Sequence, residues 1–289
     1  MLTPATYASR YLPIQVPSDA QPIPTHVRRY PAHLGAPTAG QQPFWSALGD
    51  HFARQKKADP GYTLTLTVNN VPFPVRDREQ IRMPSVRPFY GKGSPEDCQV
   101  VLQLALRLGL TTADRLQSWA DANICLDCNG FVGNYLFHVR LGRPWTENPS
   151  ADQPGPSQTI DKLFQWAAGK DEHGAIDDLD DLDTNDVHIV VRSDLAGHVV
   201  PGPAPVGHVA LTEPRQFRRE YTSMDLRRAN DGMIGNLALR TVESAGPVDG
   251  VGQNWLVFVR SLPPRGVFQV NRDRIRKVDP VKIAPLPPA

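Results

Sequence analysis

The sequence predicts an α+β protein, with helices first and strands second. Two observations carry that class. From Ser94 to Ala168 apolar residues recur at three- and four-residue spacing, the period of an amphipathic helix. Beyond the acidic run Asp177 to Asp186, short segments rich in β-branched and aliphatic residues replace them. A third observation sets the limits: the 29 prolines gather toward the two ends, where they cannot continue a helix or a central strand. The chain therefore divides into a Pro-rich N-terminal extension over 1–93, a helix-and-strand domain over 94–262 and a Pro-rich C-terminal tail over 263–289. With 40% hydrophobic residues in 289, the domain can bury a sizeable core.

Pro4, Pro13, Pro17, Pro22, Pro24, Pro31, Pro37 and Pro43 are expected to keep the opening stretch extended, and either disordered or wrapped on the core. Tyr62 to Val68 then alternates with period two, and Asn69-Asn70 supplies a turn that tolerates positive φ before Val71-Pro72-Phe73-Pro74-Val75. This is a β-hairpin whose second strand must lie at an edge, since neither proline can donate to a ladder. Ser94-Pro95-Glu96-Asp97 reads as a helix cap with proline at the first position, followed by Val100, Val101, Leu104, Ala105 and Leu108 and stopped by Gly109. A second helix is expected from Thr112 to about Ala122, built on Leu116, Trp119 and Ala120. A third begins at Cys128, with Phe131, Val132, Tyr135, Leu136 and Val139 on one face. Pro144, Pro149, Pro154 and Pro156 interrupt the pattern, and a short helix follows from Ile160 to Ala168. Strands are expected over Val187–Arg192, His208–Thr212, Leu237–Glu243, Trp255–Arg260 and Gly266–Val270.

Composition excludes several partners. Lys plus Arg number 31 against 30 for Asp plus Glu, a net charge of +1, so no field draws in nucleic acid or an anionic bilayer. No apolar run approaches the length of a membrane span, and Met1 to Tyr7 lacks a basic start followed by an apolar stretch. The chain is expected to be cytoplasmic on synthesis. Cys98, Cys125 and Cys128 form an odd, sparse set that fits reduced thiols. Cys125-Leu126-Asp127-Cys128 is formally a redox or zinc half-motif, but no βαβ context or second ligand pair accompanies it. The acidic run lacks the glycine and distal glutamate of a calcium loop and reads as solvated. No metal and no cofactor are expected.

Cys128 carries the chemical signal. It opens a helix, Asp127 stands as the cap, and Gly130 permits close approach of a substrate backbone. A helix N-terminus beside an imidazole favours the thiolate that attacks as nucleophile, and the same N–H groups can receive an oxyanion.

The segment Asp127-Cys128-Asn129-Gly130-Phe131-Val132 resembles the Asp-Cys-Ser-Gly-Phe-Val motif of NlpC-type cell-wall cysteine peptidases, members of the papain-like superfamily. Leu182 to Val190 resembles the family's turn and strand, and Gly207-His208-Val209 its Gly-His-Val strand opening. The likeness spans about Pro95 to Arg260. It implies a papain-like domain, helices packed on an antiparallel sheet, that cleaves amide bonds in peptidoglycan stem peptides. It implies Cys128 as nucleophile, His208 as general base, and Asp127 and Asn129 beside the substrate's amino end. Asn129 replaces the usual serine, which implies a different substrate choice, and no Tyr-x-x-Gly-Gly loop precedes the cysteine. Gly197-His198-Val199 also fits the histidine motif, but Pro201, Pro203 and Pro205 follow it, whereas Val209 to Thr212 continues unbroken after His208. His188 alternates away from Val187 and Ile189 and reads as exposed or as a satisfied partner. Glu243, at the next strand, is the candidate for orienting the imidazole; the plainer reading is a surface carboxylate at a strand end.

The expected activity is thus a cysteine peptidase or amidase acting on a peptidoglycan peptide or another peptide. Lysis, a phage particle or a specialised secretion-system partner would deliver it outside the cell. The alternatives are a thiol hydrolase or acyltransferase acting on proteins, as a toxin or effector, and a binding module with a dead site.

Overall fold

Thr3 opens the fold by accepting a hydrogen bond from Thr6 N, which starts α1 (Pro4–Ala8) with proline in the first turn. The computed structural model describes residues 2–18, 20–30, 36–201, 207–219, 237–245, 250–272 and 278–288. Tyr7 and Tyr11 are fully buried, and Tyr7 packs at 6.1 Å on Phe131 and 5.8 Å on Tyr135. The N-terminal segment is therefore part of the core. It continues through the paired strands β1 (Ile14–Val16) and β2 (Ile23–Thr25) to α2 (Gln41–Ala58), which buries Phe44, Leu48 and Phe52 at four-residue spacing.

The hairpin consists of β3 (Leu64–Val68) and β4 (Val71–Val75), turning on Asn69 and Asn70 at φ 50° and 64°. Pro72 and Pro74 lie in β4 of this two-stranded sheet, with no second ladder to supply. After α3 (Arg82–Val86), α4 (Pro95–Arg107) begins with a complete capping box: Ser94 Oγ accepts from Asp97 N, and Asp97 Oδ2 accepts from Ser94 N, both at 3.1 Å. Every residue of α4 from Pro95 to Ala105 is buried, so it is the central helix. It packs on β1, β3, α3 and α5 (Leu116–Asn123), and α6 (Cys128–Asn134), a π-helical continuation over Tyr135–Arg140, and α7 (Ile160–Ala168) follow in the chain.

The strands β5 (His188–Arg192), β6 (Val209–Arg219), β7 (Leu237–Ala245), β8 (Gly250–Leu262), β9 (Val267–Arg272) and β10 (Val278–Pro285) form a closed antiparallel barrel in the order β10-β5-β6-β7-β8-β9. This corrects the papain-like arrangement of helices on a sheet: the chain is mixed α/β, but its main sheet closes on itself. The physical reason lies in the Pro-rich C-terminal segment. β10 pairs with β5 on one side and β9 on the other, Val281 standing opposite both Arg192 and Phe268, so neither sheet edge is left open. Pro280 lacks an N–H, yet its carbonyl accepts from Ser193 N at 2.9 Å.

Strand alternation produces two cores. Val190, Leu237, Leu239, Leu256, Phe258, Phe268, Val270 and Ile283 fill the barrel, with Ile176, Leu179 and Leu182 from the acidic segment joining them. Ile189, Val191, Val209, Leu211 and Val242 point out of the barrel into the helical core, where Cys128, Phe131, Val132 and Tyr135 sit. Buried on both faces, β5 reads as a continuous apolar run.

Candidate active site

Cys128 is the first residue of α6 and 2% exposed. Asp127, in extended conformation, caps the helix by accepting from Gly130 N at 2.6 Å. Gly130 makes room for protein rather than for substrate: a Cβ there would lie 1.9 Å from the Gly91 carbonyl oxygen, which also accepts from Asp127 N at 3.0 Å. The second carboxylate oxygen of Asp127 meets Lys92 Nζ at 2.5 Å. Burial pushes the Asp127 carboxyl up from its ordinary range, and Lys92 and Gly130 N pull against that shift without overcoming it.

Around the thiol, Cys128 Sγ donates to Asn129 Oδ1 at 3.3 Å, and Asn129 Nδ2 donates to the Gln158 carbonyl at 3.0 Å, tying the Pro-rich loop to the site. The Tyr30 hydroxyl points at Cys128 Sγ from 4.0 Å. Burial, reinforced by the charges of Cys128 and Asp127, holds this phenol far above its usual range, so it remains protonated and can donate.

On the barrel, His208 immediately precedes β6, and its Nε2 makes a short hydrogen bond to Glu243 Oε2 near the end of β7. Glu243 is fully buried, and its other oxygen accepts from Asn254 Nδ2 at 2.9 Å. A buried carboxylate held from both sides fixes the position and tautomer of the imidazole. Glu243 is therefore not a surface carboxylate. The other histidines lie elsewhere. His198 is exposed and paired with Asp194 in a turn, and Pro203 and Pro205, which bore on the choice between the two, lie outside the described residues. His188 is buried, its backbone N donates to Thr212 Oγ1 at 2.8 Å, and desolvation lowers its pKa.

The two groups are joined through the chain. Ser244, the residue after Glu243, donates from Oγ to the Leu126 carbonyl at 2.7 Å, two residues before Cys128, and α6 packs against both β6 and β7. Of the residues expected to bind substrate, Asn129 is half-buried, whereas Asp127 is 3% exposed with both carboxylate oxygens engaged. Tyr30, Lys92 and Asn254 were not legible as site residues. A period-two strand pattern could have shown Asn254 sharing the Glu243 face through its cross-strand neighbours, but nothing local marks Tyr30 or Lys92.

Cys98, Cys125 and Cys128 are all free thiols, and burial pushes Cys125 up to about 12. Among the described residues no cluster of His, Cys, Asp or Glu is placed to hold a metal ion, and no helix is long and apolar enough to cross a membrane. No family model matches the chain, and no curated protein or solved structure gives a significant match.

Proposed function

We propose that this chain is a cysteine hydrolase that cleaves amide bonds in peptidoglycan stem peptides. The observation that carries the hydrolase reading is the His208–Glu243–Asn254 network, whose first two members stand at β6 and β7, the strands that pack against the helix opened by Cys128. Glu243 engages His208 Nε2, so proton exchange with the thiol is assigned to Nδ1. His208 takes the Cys128 proton, the thiolate attacks the amide carbonyl carbon, and the tetrahedral intermediate collapses as His208 returns the proton to the leaving amine. Water, activated by the same imidazole, then hydrolyses the thioester and restores the thiol. Tyr30 supplies a neutral phenol beside the sulfur that can donate to charge developing there.

The substrate class rests on the likeness of Asp127 to Val132 to the nucleophile motif of cell-wall peptidases. Purified sacculi incubated with the protein should release shortened muropeptides detectable by mass spectrometry, and Cys128→Ala should release none. Unchanged muropeptides with the active protein would reject the cell-wall substrate.

A further inference from the structure

The ion pair between Lys92 and Asp127 has no role in the chemistry above, yet its setting is unusually constrained. Four contacts hold the Lys92 backbone and its neighbour: one to the preceding turn, one to Asn134 at the far end of α6 and two to the residues that lead into α6. Lys92 N donates to the Arg87 carbonyl at 2.9 Å, the Lys92 carbonyl accepts from Asn134 Nδ2 at 3.1 Å, Lys92 bridges Leu126, and the Gly91 carbonyl accepts from Asp127 N. Gly91 takes φ 77°, which lets the chain turn directly into this contact. The ammonium therefore arrives pre-positioned, its side chain 17% exposed, at a carboxylate that is 4% exposed and one residue from the nucleophile.

We propose that Lys92 is a positioning residue for Cys128: an internal counter-ion that neutralises Asp127 and reserves its carboxylate for capping α6 rather than for a substrate amine. This rests on the reading of Cys128 as nucleophile. Without Lys92, Asp127 is an uncompensated buried carboxylate that repels the thiolate one residue away. That makes Cys128 a poorer nucleophile. The amino end of a substrate is correspondingly not received by Asp127, because Gly130 N and Lys92 Nζ already occupy its two oxygens.

The test is the rate of Cys128 alkylation by iodoacetamide at pH 6, read peptide by peptide, in wild type, Lys92→Met, Lys92→Arg and the double variant Lys92→Met with Asp127→Asn. Lys92→Met should slow Cys128 about tenfold, the effect of one pKa unit of lost charge pairing. Lys92→Arg should stay within about threefold of wild type, because the positive charge is retained. The double variant should recover most of the loss, since the amide removes the charge that Lys92 offset. If Lys92→Met labels at the wild-type rate, or if the double variant stays as slow as the single one, Lys92 has no electrostatic role. Should Lys92→Met fail to fold, Lys92→Arg and the double variant still decide: slow labelling in both overturns the proposal. Failure of the underlying reading looks different, because wild-type Cys128 would then label no faster than Cys98.

Discussion

Glu243 shows how much a single residue's surroundings determine. Fully buried, it holds His208 with one oxygen and accepts from Asn254 with the other. Glu243→Gln keeps the shape but removes the charge that, in the proposed mechanism, orients and stabilises the imidazolium. Turnover on muropeptides should fall roughly hundredfold, while Cys128 remains open to alkylation. Unchanged turnover would remove Glu243 from the mechanism. Asp97 gives a second residue-scale expectation, on stability. Its carboxyl is buried beside Arg87, and burial outweighs that ion pair and raises it to about 7. An ordinary aspartate titrates near pH 4, so the folded protein keeps a proton there that the unfolded chain gives up. The stabilisation from protonated Asp97 is full below about pH 4 and is lost as pH rises to about 7. Denaturant melts should show the stability difference between wild type and Asp97→Asn shrinking across that window, by up to about 1.4 kcal/mol per pH unit; a difference that grows with pH would contradict the assignment. Cys128, His208 and Glu243 could be singled out from the sequence as candidates because each sits at or near the start or end of a helix or strand with a local pattern. Tyr30 and Lys92 could not, because they reach the site from 98 and 35 residues away.

Elements were legible where their own ends announce them. The Ser94–Asp97 capping box and the Asn69-Asn70 turn act within four residues, so α4 and the β3–β4 hairpin follow from local chemistry. The 18-residue α2 was hidden by the prolines around it, although Phe44, Leu48 and Phe52 carry a helical repeat and Pro43 falls in the first turn, where proline is tolerated. β6 runs past Thr212 to Arg219 because a bulge, with Arg215 at φ 62°, absorbs the residues that break its alternation. The start of α6 offers the sharpest element-scale expectation. Gly130→Ala places a methyl 1.9 Å from the Gly91 carbonyl, a backbone atom that cannot rotate away. The variant should lose about 1–3 kcal/mol, the usual cost of overpacking, and its Cys128 should also label more slowly, since the displaced loop carries Lys92. Thermal melts and alkylation rates check both; a stable variant with wild-type labelling would mean that the close approach is dispensable.

At the scale of the whole molecule, the segments that look like appendages in the sequence complete the structure. β10 joins both edges of the sheet, and Ala5 N at the start of the chain donates to Glu213 Oε2 on β6 at 2.8 Å, tying the N-terminal segment to the barrel. Such closures were not legible because they depend on pairings between residues far apart in sequence, whereas proline content speaks only to local conformation. Closure also determines what the site is. Cys128 belongs to the helical half and His208 to the barrel, so the hydrolase reading requires the two halves to act as one unit. Comparing Cys128 alkylation by iodoacetamide at neutral pH in wild type and in folded His208→Ala tests that requirement most directly. If His208 serves Cys128, the variant should label roughly a hundredfold more slowly, with Cys98 unaffected; equal rates at Cys128 in the two proteins would show that the histidine on the barrel does not activate the cysteine on the helix.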